Sequence, residues 1–302
     1  MAITALTDVA VGAPITRGAL SLVPVYLPGS PAAPVEPSSE GVTISEAPDA
    51  VVPTITIINP GALPVLFVEG ETVRGGQQDR SLDVSVLVPA ATELACPVSC
   101  VERGRWGGTR DFDRSRTYAP RRVRRVKTAT VGWNLEASGA KRSDQGRVWE
   151  TVDAELGRLR IDAPTSALRE LDAHLERDDL HGVIASLVRP GPLPGQRGIV
   201  VAHGHRIVAA DVFASEDVLA QHWEALVRGY ALDAPSQSDG LTGHPSLDHA
   251  VRFLRGFAAA TSRTSDGVGL GTEHHVESRY LVGQALVWDD AVVHASAFAL
   301  AG

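Results

Sequence analysis

The 302-residue sequence predicts an α+β fold: an N-terminal antiparallel β-sandwich or partly open barrel, then a helical section, then closing C-terminal strands. Three observations carry this reading. Short β-branched runs broken by proline and glycine fill the first hundred residues, apolar residues recur at helical spacing between 144 and 260, and alternating runs return from 268 to 298. Strands, then helices, then strands suit a segregated α+β chain better than a parallel βαβ sheet. At about 150 residues per domain, the length suits a β-rich unit over 1–135 and an α+β portion over 136–302, packed together or continuous.

The elements follow in order. Ile3–Val11 and Leu20–Leu27 read as strands, and the proline-rich stretch Pro28–Gly41 as a surface connection. Val42–Glu46, Thr54–Asn59 and Pro64–Glu69 are short strands separated by Ala47-Pro48-Asp49-Ala50 and by the Asn59-Pro60-Gly61 turn. After Gly75-Gly76, residues Ser81–Val88 and Leu94–Glu102 form another alternating pair. Apolar faces at Val148, Val152, Leu156 and Leu159, and at Leu168, Leu171 and Leu175, predict helices over Asp144–Leu159 and Thr165–Arg177. Arg197–His203 and Arg206–Phe213 predict a hairpin closing at Gly204. Ser215 is a natural N-cap for a helix over Glu216–Tyr230, a further helix covers Ser246–Ala260, and strands return over Val268–Phe298.

With 44% hydrophobic residues the chain can bury a large core. A formal charge of −8 argues against a surface generally suited to nucleic acid or anionic membrane. No run approaches the roughly 18 apolar residues of a membrane helix, and no basic-then-apolar leader opens the chain, so cytoplasmic residence is the expectation. Cys96 and Cys100 lie four apart on one strand, about 13 Å at about 3.3 Å per residue, too far for a disulfide. Free thiols suit a reducing compartment.

The densest chemistry lies between Phe67 and Trp106. Glu69 and Glu71 share a strand face across Gly70, a pair suited to acid–base work or to holding a cation, or simply two carboxylates at a strand end. Arg74-Gly75-Gly76-Gln77-Gln78-Asp79-Arg80 sets a glycine turn between guanidiniums, where backbone N–H groups can meet an anion or merely turn a hairpin. It lacks both the phosphate-loop ending and GxGxxG. Cys100 and Glu102 share a face, placing a carboxylate beside a thiol, although no histidine stands nearby and a free cysteine is commonly a small buried side chain. Arg105 and Trp106 suit an anionic, flat ligand through charge-assisted hydrogen bonds and stacking.

From Arg103 to Lys127, nine arginines and one lysine face two aspartates, interleaved with Trp106, Phe112 and Tyr118. With Gly107-Gly108 and Pro120 inside it, this reads as a long basic loop for phosphate, for single-stranded RNA, or for a subunit contact, without any RNP, KH or zinc-knuckle pattern. Ten histidines show no metal-ligand spacing, and no metal site is assigned. Glu273, His275 and His294 form the least unfavourable trio.

EGETVRGGQQDR at 69–80, LVPA at 87–90, CPVSCVERGRW at 96–106, DQGRVWE at 144–150 and GIVVAHGHRIVAADVF at 198–213 together resemble the ARG and rhodanese-phosphatase-superfamily-associated protein domain family, over roughly 15–298. The resemblance implies association with ADP-ribosylglycohydrolases and with NAD- or ADP-ribose-linked metabolism. Its matching polar positions are Glu69, Glu71, Gly75, Gln78, Arg80, Cys100, Glu102, Arg105 and Trp106, with Gln145 and Trp149 weaker. Asp79 departs from the asparagine frequent in that family.

The sequence therefore predicts an enzyme acting on a phosphorylated nucleotide-like or ADP-ribose-like small molecule. Glu69, Glu71, Glu102 and Cys100 are its catalytic candidates, and Gln78, Arg80, Arg105 and Trp106 its ligand-binding candidates. The alternative is a non-catalytic nucleotide-binding or scaffold protein, possible as a homo-oligomer. Nucleic acid through 103–127 is the lesser reading, and no cofactor is indicated.

Overall fold

A 3-10 turn, Thr4–Leu6, precedes β1 (Ala10–Val11), β2 (Ile15–Arg17) and β3 (Leu20–Tyr26). Of the strand expected over Ile3–Val11, Ala10–Val11 is strand, and the 3-10 turn ahead of it packs Ile3 and Leu6 with residues of the last helix. The computed structural model describes residues 2–46, 53–163, 165–177, 180–234 and 243–300, so the Ala47–Ala50 separator lies outside the described residues.

Next come β4 (Thr43–Glu46), β5 (Thr54–Asn59), β6 (Val65–Phe67), β7 (Thr72–Gly75), β8 (Arg80–Leu82), β9 (Val86–Val88), β10 (Thr92–Cys100), β11 (Glu102–Arg103) and β12 (Asp111–Arg114). Six of them close a barrel in the order β10-β5-β4-β12-β7-β8, antiparallel throughout. Its interior is the apolar alternation of the sequence: Ile44, Ile55, Ile57, Val73, Leu82, Cys96, Val98 and Phe112. The run Ser81–Val88, expected as one strand, bends after Leu82. Buried Asp83 receives Ser99 Oγ at 2.7 Å and the Ser143 N–H at 3.1 Å, and those bonds turn the chain out of the ladder.

The stretch 103–127 is not one loop. It contains β11, β12 and the first turns of α1 (Arg121–Ser138). Pro120 stands just before the first helical residue, where a missing N–H costs little, and arginine and lysine are good helix formers. Helical periodicity is masked because the buried face of α1 is itself polar: Arg121, Arg124, Lys127, Thr128 and Thr130 are buried along with Val123 and Val131.

The remaining elements are α2 (Gln145–Arg158), β13 (Ser166–Ala167), α3 (Arg169–Arg177), α4 (Leu180–Val188), β14 (Gly198–His203), β15 (Arg206–Phe213), α5 (Glu216–Leu232), α6 (Leu247–Ala259), β16 (Ser262–Asp266), β17 (Thr272–Glu277), β18 (Leu281–Trp288) and β19 (Ala291–Ala299). Asp144 caps α2 and Ser215 caps α5, each accepting a backbone N–H three residues on.

A nine-stranded antiparallel sheet runs β1-β3-β14-β15-β19-β18-β17-β16, with β2 also on β3. Its register pairs Val23 of the N-terminal strand with Val200, so the sheet crosses the 135/136 boundary. One face packs on α6 and the 3-10 turn. The other meets α1, α2 and α5 in the largest core. Helix α1 joins barrel and sheet, with Val123 in that core and Val131 in the barrel core. Among the described residues, no helix is long and apolar enough to cross a membrane.

Candidate functional site: an arginine rim on the barrel

The two glutamates expected to share a face diverge into separate ion pairs. Gly70, at φ +79°, turns the chain between them, and a Cβ there would lie 2.5 Å from Arg124 Cγ. The glycine therefore admits the protein's own arginine where the sequence suggested a ligand. Arg124 donates to Glu69 Oε1 through Nε (3.0 Å) and Nη2 (2.5 Å), and to Asp211 through Nη1 (3.2 Å) and Nη2 (2.6 Å). Glu71 accepts Arg114 Nε at 2.5 Å and the Val68 N–H at 3.1 Å, with the Arg114 guanidinium 4.6 Å over the Phe67 ring. Both carboxylates are fully buried.

Around Asp211 the network continues. Tyr230 Oη donates to it, and His294 Nε2 lies 3.2 Å away while its Nδ1 meets Ser85 Oγ at 2.8 Å. Ser85, His294 and Asp211 thus stand in hydrolase-like sequence, yet none is more than 2% exposed and Arg124 holds the aspartate. A triad needs a hydroxyl that substrate can reach, so these groups organise the core. Burial would raise Asp211, but Arg124 and His294 together hold it below the ordinary carboxylate range.

The glycine turn is also spent internally. Gly75 N–H donates to Asp79 Oδ1 at 3.1 Å and Gln77 N–H to Glu46 Oε1 at 2.9 Å. The Gly75 and Gly76 carbonyls accept Arg105 Nη2 (3.0 Å) and Nη1 (3.1 Å), and Arg105 Nη1 also holds Gly107 O at 2.6 Å. Arg105 is a pin between two turns.

Gln78, Arg80 and Cys100 meet inside the barrel wall, where β8 and β10 pair Arg80 with Cys100. Gln78 Oε1 accepts Arg80 Nη1 at 3.3 Å and the Cys100 thiol at 3.2 Å. Arg80 is fully buried, its Nη2 3.6 Å from Glu46. Burial pushes the Cys100 thiol up, with the Glu102 carbonyl and Arg80 only partly opposing it. Gln145, a weaker match in sequence, clamps Cys100 at both ends: its Oε1 accepts the Cys100 N–H and its Nε2 donates to the Cys100 carbonyl, each at 2.8 Å.

What reaches solvent is a rim. Glu102 Oε2 accepts Arg105 Nη2 (2.6 Å), Arg169 Nη2 (3.0 Å) and the Asp79 N–H (3.0 Å). Burial would raise Glu102, but these three donors together hold it below the usual carboxylate range. Asp79 takes Arg169 in a two-pronged grip, Nε at 2.8 Å and Nη2 at 2.5 Å. Arg74 pairs with Asp172, and Arg74, Asp79, Arg169 and Asp172 line a small depression with Thr72 and Ser115. Burial, together with Arg169 and Arg228, lowers the Arg74 guanidinium. Arg74, Arg105 and Arg169 keep 27–38% of their side-chain surface exposed, and Trp106 is 62% exposed.

Arg228 separates this depression from a cleft of about 300 Å³, floored by Ile184, Ala185 and Val188. It donates to Thr117 Oγ1 at 2.9 Å and to Glu176 at 2.7 Å.

Of the sequence candidates, then, Glu102, Arg105 and Trp106 reach or border the rim, while Glu69, Glu71, Gln78, Arg80 and Cys100 lie behind it. Asp79 and Arg169 were missed. Arg169 opens a helix far along the chain with no motif around it, and Asp79 registered only as a departure from the family pattern. In the trio Glu273, His275 and His294, the first two pair at 2.9 Å while His294 serves Ser85 and Asp211. Among the described residues, no three His, Cys, Asp or Glu side chains gather in a way that could hold a metal ion.

No curated protein and no solved structure matches the chain. The model of the ARG and Rhodanese-Phosphatase-superfamily-associated Protein domain matches residues 8–298. The chain belongs to that family.

Proposed function

We propose that this protein binds a phosphorylated, nucleotide-like small molecule of the ADP-ribose type at the arginine rim. One observation carries the reading: Arg74, Arg105 and Arg169 converge on Asp79, Glu102 and Asp172 while remaining partly exposed, next in sequence to an exposed indole at Trp106. Partly exposed guanidiniums held in a fixed array suit the planar, bidentate contacts of phosphate. An exposed indole suits stacking on a base. The family name, with its link to ADP-ribosylglycohydrolases, agrees with this class of ligand. Free, buried Cys96 and Cys100 agree with a cytoplasmic setting.

A second reading, catalysis, rests on Glu102. It is the one carboxylate among the catalytic candidates that borders the rim, and two of its three donors are guanidiniums that a phosphate can draw away. A carboxylate so released rises toward the range useful to a general base. Titration with ADP-ribose followed by chromatography of the ligand separates the two readings. Saturable binding with intact ligand supports the binding module. Turnover that disappears in Glu102→Gln while binding persists supports the hydrolase, and no binding of ADP-ribose, NAD or nucleoside phosphates sinks both.

A further inference from the structure

The start of α1 gathers more positive charge than its surroundings use. Arg121 and Asp233 are both almost fully buried, yet Arg121 Nε stops 3.9 Å from Asp233 Oδ2, outside hydrogen-bond reach. Arg121 Nε and Nη1, both Asp233 carboxyl oxygens and His203 Nε2 are buried without a protein partner. Five such atoms in neighbouring groups leave hydrogen-bonding capacity that a polar occupant would complete, because buried donors and acceptors are normally satisfied.

The groups around these atoms come from every element packed there. From α1, Arg122 donates to Glu155 at 2.9 Å and Arg125 reaches the Ala299 and Leu300 carbonyls at 3.4 Å. From α2, Arg158 donates to Glu155 at 2.8 Å and to the Leu232 carbonyl at 2.5 Å. Asp233 ends α5 and His203 ends β14. Among the described residues, Arg121, Arg122, Arg125 and Arg158 face Asp233 and Glu155, four guanidiniums against two carboxylates. Helix α1 adds its positive end, with no side-chain cap and no acidic residue in the first turn.

Water alone would satisfy the unpartnered atoms and leave the surplus charge in place. An oxyanion does both: its oxygens accept from Arg121, and a proton on it or on Asp233 joins the two acids. Burial raises Asp233 to about 6 and lowers His203 to about 3, so both groups are easily held neutral beside an anion. We propose that the unpartnered polar atoms of Arg121, Asp233 and His203 at the N-terminus of α1 take up a small oxyanion, inorganic phosphate or the phosphate group of a phosphomonoester. This site stands independently of the nucleotide reading at the rim.

The test is calorimetric titration of the full chain with inorganic phosphate, sulfate and phenyl phosphate, at ionic strength held constant with chloride. Phosphate and sulfate each show a one-to-one component that Arg121→Met weakens at least tenfold, and Arg263→Met, at an exposed arginine on β16 outside both sites, changes nothing. Asp233→Asn, which keeps the shape and removes the opposing charge, tightens both severalfold at pH 8. That variant also guards against misfolding of Arg121→Met. Sulfate does not titrate, so its tighter binding as pH falls from about 8 to about 5.5 in the natural protein, and not in Asp233→Asn, reports the carboxyl group directly. Phenyl phosphate binding as phosphate does identifies a phosphomonoester site, and its exclusion identifies a site for the free ion. No binding at about 10 mM of any anion, an affinity near the weakest worth calling specific, overturns the proposal. So does binding that Arg169→Met abolishes while Arg121→Met and Asp233→Asn leave it unchanged.

Discussion

Arg124 grips Glu69 through both Nε and Nη2, at 3.0 and 2.5 Å, in a position with no contact with solvent. Asp211 takes the rest of the same guanidinium. Removing one member of a buried ionic set leaves uncompensated charge, which costs about 3–5 kcal/mol. Arg124→Met, which strands two carboxylates, is expected to lose on the order of 4 kcal/mol in denaturant unfolding or to fail to fold. Glu69→Gln should be destabilised by less, since a neutral amide can still accept one bond. A Glu69→Gln protein of unchanged stability that no longer bound ligand would return this glutamate to the functional site.

The rim answers differently. Arg169 is partly exposed and its loss leaves Asp79 with the Gly75 N–H and Arg105. Arg169→Met and Trp106→Ala are expected to change stability by less than about 1 kcal/mol, as surface substitutions do. Affinity for ADP-ribose should fall at least tenfold in each. Arg105→Met should show the reverse balance, a stability loss of about 1–3 kcal/mol from the three orphaned carbonyls at Gly75, Gly76 and Gly107. Paired calorimetry and melting curves read both quantities.

Both thiols should resist chemistry in the native state. Burial pushes Cys96 up to about 12 and raises Cys100, and the thiolate is the reactive form. A thiol-specific chromogenic reagent at pH 7.5 should find no fast-reacting group until denaturant is added, then two. Rapid native labelling at Cys100 would reopen its reading as a nucleophile.

Two buried groups set opposite pH slopes. Asp233 is raised from 3.8 to about 6, so the folded state holds the extra proton; stability from this group is full below about 3.8 and lost as pH rises through 6. His203 is lowered from 6.5 to about 3, so its contribution is present above 6.5 and lost as pH falls toward 3. Asp233→Asn should therefore stabilise the protein at pH 8, by about 3 kcal/mol, with little effect at pH 4. His203→Gln should flatten the loss of stability between pH 6.5 and 4. Denaturation midpoints measured across pH 4–8 decide both.

Patterns of period two and a capping residue made much of the fold legible: the 198–213 hairpin, the cap at Ser215, and the alternating barrel strands all follow local rules. Helix α1 did not, because Arg121, Arg124 and Lys127 occupy its buried face and the apolar stripe that marks a helix is replaced by charges. The same residues explain why the site was legible only in part. Glu69 and Glu71 looked like exposed acids because the cations that bury them, Arg124 and Arg114, lie more than forty positions away. Glu102, Arg105 and Trp106 were visible as a local cluster. Their counterpart Arg169 is joined to them only by folding, 67 residues from Glu102.

The pairing of β3 with β14 bears on how the chain is made. Residues 20–26 leave the ribosome long before their partner 198–203, and nothing earlier in the chain supplies that side of the ladder. The barrel, built from 43–114, can close while the first strands still wait. Fragments ending near residue 135 should thus expose an apolar LSLVPVY segment and aggregate, and rescue by supplying 136–302 as a separate chain would measure how much of the nine-stranded sheet can be assembled after synthesis.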